Sequence, residues 1–168
     1  QVGLRDKEFV DISEDGNTVT PRKLRDLFIK DPVFREFFVD PRLLEIGRAL
    51  LGEEPLLLGD QTFMKPPRYG SNKPYHQDNF YFKTESDQII SCGIYLEDAD
   101  QANGCLRVIP GSHKQGITHH ERSGLVEAKG YKAEIDESKA VDVVCPGGTV
   151  VLFSANLIQI MKKKHTFW

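Results

Sequence analysis

The residues best suited to chemistry are His76 and Asp78, separated by Gln77. An imidazole and a carboxylate at this spacing can converge on one cation where the backbone is extended, because residues i and i+2 share a strand face. They supply two of the three donors of a two-histidine, one-carboxylate triad, which leaves iron with open positions for a cosubstrate and oxygen. Alone, the pattern is more often a surface pair. Its setting adds to it: Lys73-Pro74-Tyr75 precedes and Asn79-Phe80-Tyr81-Phe82 follows. Aromatics beside a polar pair are typical of a binding-pocket mouth. Tyr75, Phe80, Tyr81 and Phe82 are therefore pocket candidates, while Phe80 and Phe82 also read as alternate core residues of a strand.

The elements that must position this pair fall into two stretches. Thr20-Pro21, Asp31-Pro32 and Asp40-Pro41 each read as an N-cap followed by proline at the first helical position. Apolar residues recur behind them at helical spacing, and Gly52 stops the third helix. Three short amphipathic helices over about 20–52 are expected to cover one face of a sheet. Strands are expected in LLLGDQTFM from Leu56, in QIISCGIYL from Gln88, and over Cys105–Ile109, Val141–Val144 and Thr149–Phe153. Asp15-Gly16, Tyr69-Gly70 and Cys145-Pro146-Gly147-Gly148 punctuate as turns or loops. The polar stretch from Gly111 to Lys139 reads as an excursion with little strand of its own. Short strands without helical crossovers point to a sandwich or barrel. The expected organisation is one domain over 1–168, with its β core at about 56–160.

Composition narrows the partners. The 168 residues carry 22 Lys plus Arg against 25 Asp plus Glu, a formal charge of -3. That balance provides no broad field for nucleic acid, so none is expected as a partner. A hydrophobic fraction of 39% with 28% charged residues is that of a globular chain. No apolar stretch approaches the length of a membrane span. Cys92, Cys105 and Cys145 are odd in number and form no CxxC pair. Cys92 and Cys105 lie in apolar runs, as buried reduced thiols do, which favours an intracellular, cytoplasmic setting.

Three blocks carry a family likeness: PYHQDNFYF, then IYLEDADQANGCLRVIPGSHKQG, then CPGGTVVLFSANLI. In order and spacing they resemble the phytanoyl-CoA dioxygenase family. The resemblance implies a mainly β fold, a double-stranded β-helix of jelly-roll or cupin-like form with N-terminal helices. It implies Fe(II) and 2-oxoglutarate as cofactors, molecular oxygen as co-reactant, and hydroxylation of a small-molecule or lipid-like substrate. His76 and Asp78 would be the first two iron ligands and catalytic residues, with Gln77 as spacer. Asn103, Gly104 and Cys105 would form a turn and strand entry, and Pro110 to His113 the next turn, which leaves His113 structural. His119-His120 lies in the polar excursion and reads as solvated surface.

The chain departs from the family pattern near its end. The second iron histidine of the family falls at Gln159, whose neutral amide is a poorer ligand for divalent iron than imidazole. The family then continues into a strand bearing the arginine that anchors 2-oxoglutarate, whereas no arginine follows Arg122 here. A final strand is therefore expected to be missing, the cofactor anchor is unassigned, and a truncated or catalytically inactive member with a binding role is the alternative. His165 is six residues out of register as a substitute ligand, and Lys162, Lys163 and Lys164, which could pair with a distal carboxylate, read as a solvated face or a terminus. Gly93 stands where the family carries bulkier residues, either enlarging a pocket or easing strand packing.

Overall fold

The computed structural model describes residues 10–12, 17–65, 73–82, 88–116, 120–122, 131–133 and 135–161. The chain separates into two compact units, Gln1–Met64 and Lys65–Trp168. The Asp15-Gly16 turn, the Tyr69-Gly70 loop, His119, the lysine run and His165 lie outside the described residues.

In the first unit, β1 (Val10–Ile12) pairs antiparallel with β2 (Val19–Pro21), and β3 (Lys23–Arg25) pairs with the later strand β4 (Gln61–Phe63). Thr20-Pro21 thus belongs to a strand, against the expected helix start. The first helix, α1 (Leu27–Lys30), begins only after Asp26 has adopted a left-handed φ of 58°. Its cap comes from far along the chain: the Asp60 carboxylate accepts from the backbone N–H of Leu27 at 2.5 Å and of Phe28 at 3.3 Å. No local pattern could show this, because the two segments meet only after folding. The other two helices follow their aspartate–proline signals. Asp31 caps α2 (Pro32–Phe38) by accepting from Val33, and Asp40 caps α3 (Pro41–Leu51) by accepting from Arg42, each at 2.9 Å. Gly52, at φ 76°, ends α3 in the left-handed cap that glycine adopts without steric cost. The strand expected from Leu56 shortens to β4, and Leu56 itself is 90% exposed.

The second unit holds β5 (Lys73–His76), α4 (Asp78–Phe82), β6 (Ile90–Ile94), β7 (Leu106–Val108), β8 (His120–Arg122), β9 (Tyr131–Ala133), β10 (Val141–Val143), β11 (Val150–Ser154) and β12 (Gln159–Met161). A four-stranded antiparallel sheet runs in the order β10-β7-β12-β5, and β11 pairs with β6 from Val150↔Ile94 to Ser154↔Ile90. The excursion carries one hairpin, β8 with β9, where little strand was expected. β12, which the tail did not announce, fills the gap between β5 and β7 and thereby supplies their shared ladder partner. The fold is mixed α and β, with several antiparallel sheets and no closed barrel among the described residues.

Side-chain alternation gives the four-stranded sheet two faces. Tyr75, Ile109 and Ile158 form a buried apolar cluster, with Ile135, Ala140 and Ile160 packed against it. Their alternation partners His76 and Gln159 face the other way. The turn before β7 is tied as its sequence implied: Asp100 and Asn103 exchange side-chain-to-backbone hydrogen bonds at 2.8 and 2.9 Å, and Gly104 sits at φ 78°. Gly147 permits a close crossing, since a Cβ there would lie 3.2 Å from the backbone of Glu97. Cys105 is buried as expected. Cys92 is exposed, because strand alternation turns it away from the face that Ser91 shares with the site; none of the three cysteines is bridged.

Candidate metal centre

β5 delivers His76 at its last position, and the chain turns helical at Asp78. The two side chains therefore converge at the end of a strand and the start of a helical turn, not along one extended face. The His76 ring is buried, and its Nε2 lies 3.3 Å from Asp78 Oδ1. Its other nitrogen, Nδ1, is 2.8 Å from the carbonyl oxygen of Pro74. A carbonyl can only accept, so Nδ1 carries the hydrogen, and in the neutral ring Nε2 is left with its lone pair toward Asp78. This backbone contact fixes the tautomer and ring orientation that a metal-binding histidine needs.

Asp78 is held on its other oxygen. Oδ2 accepts from Ser91 Oγ at 2.7 Å and from Gln159 Nε2 at 2.7 Å. Ser91 comes from β6 and Gln159 from β12, where Gln159 is the register partner of His76. The sheet thus brings together the three positions that the sequence singled out, His76, Asp78 and Gln159.

Around the pair is a set of buried amides. Gln77 is fully buried, and its Nε2 donates to the carbonyls of Gly116 at 2.8 Å and Asn156 at 2.6 Å. Asn79 Nδ2 donates to Asn156 Oδ1 at 2.9 Å, and the Asn79 backbone N–H donates to Ala155 at 3.0 Å. Gln77 is therefore more than a spacer: it ties the His76–Asp78 corner to the turn that leads into β12. Ser112 is buried and accepts from the backbone N–H of Ile158 at 2.9 Å, which holds the same turn from its other end. Ser91, Asn156 and Ser112 were not singled out by sequence. Ser91 did leave a trace, as a small hydroxyl residue inside the apolar run QIISCGIYL.

The aromatic candidates divide. Tyr81 packs edge-on to the His76 ring at 5.8 Å between centroids, and Phe80 packs on Tyr81 at 5.9 Å. Phe82 is exposed, and the helical turn α4 replaces the alternating strand that would have buried Phe80 and Phe82 together. Tyr75 sits in the apolar cluster on the opposite face, where burial pushes its phenol pKa up. His113 is exposed in a short 3-10 turn led by Gly111 at φ 80°. At Gly93 a Cβ would meet only ordinary contacts, 3.6 Å from the Tyr95 ring and 3.7 Å from the Val151 carbonyl, so close packing does not require glycine there.

Among the described residues no group of three or more His, Cys, Asp and Glu side chains is placed to hold a metal. The pair itself fits one. Two ligands at about 2.1 Å from an octahedral cation lie roughly 3 Å apart along an edge, and Nε2 of His76 is 3.3 Å from Oδ1 of Asp78. Where the family likeness implies a third protein ligand stands the amide of Gln159, which donates to Asp78.

A family model for phytanoyl-CoA dioxygenase (PhyH) matches residues 6–158, and the chain belongs to that family within the Fe(II)/2-oxoglutarate oxygenase superfamily. Phytanoyl-CoA dioxygenase 1 of Oryza sativa subsp. japonica is 34% identical over 87 residues, covering 52% of this chain and 31% of its own length. Phytanoyl-CoA dioxygenase domain-containing protein 1 of Mus musculus is 34% identical over 93 residues, 55% of this chain and 32% of its own. The matched stretch is thus about a third of each of these curated relatives. Among solved structures, EctD from S. alaskensis with 2-oxoglutarate and 5-hydroxyectoine aligns with a TM-score of 0.73 and 23% identity, over 97% of this chain and 57% of that one. EvdO2 from Micromonospora carbonacea var. aurantiaca, complexed with 2-oxoglutarate, aligns at 0.72 and 21% identity, over 98% and 74% respectively. These likenesses show the fold. No helix among the described residues is long and apolar enough to cross a membrane.

Proposed function

We propose that the protein is an Fe(II)- and 2-oxoglutarate-dependent dioxygenase that hydroxylates a small-molecule or lipid-like substrate, with His76 and Asp78 as metal ligands. The observation that carries this reading is the 3.3 Å convergence of His76 Nε2 and Asp78 Oδ1 with Nδ1 held on a backbone carbonyl, in a chain of this family. When bound, iron with 2-oxoglutarate and oxygen supplies the oxidising chemistry. The chain's own part is positioning. Pro74 sets the imidazole tautomer, Ser91 and Gln159 aim the carboxylate, and the amides of Gln77 and Asn79 hold the turn before β12. Tyr81 and Phe80 form an aromatic wall beside His76, suited to an apolar portion of substrate. The sheet β10-β7-β12-β5 and the ladder β11-β6 support a double-stranded β-helix core within a single oxygenase-like domain. Three unbridged cysteines support an intracellular setting.

A second reading, a catalytically inactive member with a binding role, is favoured by one observation: an amide stands where the second imidazole would. Anaerobic addition of Fe(II) and 2-oxoglutarate to the purified chain separates the two. The oxygenase reading expects a weak visible charge-transfer band, lost in His76→Ala, and succinate on admission of air. A chain that gives neither band nor succinate overturns it in favour of the binding role.

A further inference from the structure

We infer that Gln159 is itself the third protein donor of this site, binding a divalent cation through Oε1 after its amide turns over, and that the site is thereby shifted toward cations that favour oxygen donors, such as Mn(II). The inference rests on His76 and Asp78 being a metal pair. Gln159 is buried, directly across the ladder from His76, and its amide end is 2.7 Å from Asp78 Oδ2. The 2.7 Å separation from Gln159 is to Oδ2 of Asp78 and the 3.3 Å separation from His76 is to Oδ1, so a cation reaching both neighbours engages the two carboxylate oxygens together, each separation being close to the edge of about 3 Å between adjacent ligands. What opposes ligation by the amide end that faces Asp78 is its polarity, because the amide nitrogen has no lone pair to give and instead donates to the carboxylate.

Nitrogen and oxygen of a primary amide are nearly the same size, so a half-turn about the last side-chain torsion exchanges donor for acceptor without moving the chain. That torsion is broad and roughly two-fold. Without a cation, the nitrogen-inward orientation is favoured, since an inward Oε1 would face a carboxylate oxygen. With a cation between them, the two oxygens become ligands of one charge, and the preference reverses. The hydrogen bond from Ser91 then keeps Asp78 aimed while Gln159 turns. The donor set becomes one imidazole nitrogen, the carboxylate of Asp78 and one amide oxygen. Carbonyl and carboxylate oxygens suit Mn(II) and Mg(II), whereas imidazole adds relative affinity for iron, cobalt and nickel.

Equilibrium binding of Mn(II), read from the electron paramagnetic resonance of the free ion, and of Co(II), read from its visible absorption, tests this on the purified full chain. Gln159→Leu keeps the bulk and removes the oxygen; it is expected to weaken Mn(II) about tenfold or more, the scale of losing support at a metal site. Gln159→His is expected to strengthen Co(II) by about tenfold or more while changing Mn(II) less, so that the preference between the ions shifts. Gln159→Glu keeps an oxygen and adds charge, so it should bind Mn(II) more tightly than Gln159→Leu even if both variants melt at the same temperature. If Gln159→Leu binds Mn(II) like the unaltered chain while His76→Ala does not, the site exists and Gln159 is no part of it. If His76→Ala also leaves binding unchanged, or the unaltered chain binds neither ion, the metal pair fails as well, and with it the proposed function.

Discussion

Replacing Gln77 by alanine removes a fully buried amide that donates to the carbonyls of Gly116 and Asn156, at 2.8 and 2.6 Å. Each lost hydrogen bond costs about 1–1.5 kcal/mol, and stranding the buried Asn156 acceptor raises the figure, so the expected loss is about 3 kcal/mol. For a chain of this length that corresponds to a fall in Tm of roughly 6–12 °C. Urea unfolding followed by circular dichroism measures it directly, with an unchanged slope showing that the unfolded state is not the cause. A companion substitution sharpens the test. In Gln77→Glu the new carboxyl can still donate to one carbonyl when protonated and to neither when ionised, so its folded-state pKa must lie above its unfolded value. Its destabilisation should therefore be small near pH 4 and grow as pH rises through the unfolded value of about 4.3, by up to about 1.4 kcal/mol per unit until the folded pKa is passed. A loss below about 1 kcal/mol for Gln77→Ala, or a pH-independent Gln77→Glu, would show that the two carbonyls find other partners and that the amide is not what ties the turn to the site.

Ser91→Ala removes one of the two donors on Asp78 Oδ2; divalent-cation affinity should fall about tenfold with little change in melting temperature, and an unchanged Kd would refute its aiming role. Gly147→Ala places a Cβ 3.2 Å from the Glu97 backbone, whereas at Gly93 its nearest neighbours are at 3.6 and 3.7 Å. Thermal unfolding should show a loss of about 1–3 kcal/mol for the first and near neutrality for the second. Hydrogen bonds from Arg42 lower the Asp40 pKa from 3.8 to about 2. The contribution of that cap is therefore complete above the unfolded value and is lost as pH falls through about 2, so the stability difference between the protein and Asp40→Asn should shrink over this acid window.

What was legible in the sequence was what local chemistry encodes. Asp31-Pro32 and Asp40-Pro41 start helices because cap and proline act within one turn of chain, and Gly52 stops one for the same reason. Val150–Ser154 and Ile90–Ile94 declared themselves by β-branched and apolar runs. Thr20-Pro21 misled because an equally good local signal lost to pairing with Val10–Ile12, and the cap of α1 arrives from Asp60, distant in sequence. In the site, His76 and Asp78 were visible as residue types, and the family pattern located Gln159. Its contact with Asp78 was not visible, since β12 has a lysine-rich sequel and no strand pattern of its own. The division of Tyr75 from Tyr81 followed from a change of backbone after His76, where a strand gives way to a helical turn.

The placement of Gln159 between β5 and β7 makes the site sensitive to counting. Side chains alternate along β12, so sliding that strand by one residue would turn Gln159 toward the Tyr75 cluster and present Ile158 or Ile160 to Asp78. The sheet could re-pair after such a slip, because backbone hydrogen bonds are indifferent to identity. The hydroxyl of Ser112 on Ile158 and the amides of Gln77 and Asn79 on Asn156 work as a vernier that admits one alignment. A deletion or insertion of a single residue between Ser154 and Gln159 is thus a more complete lesion than most substitutions: it would leave a folded sheet whose reading frame had slipped past its own site.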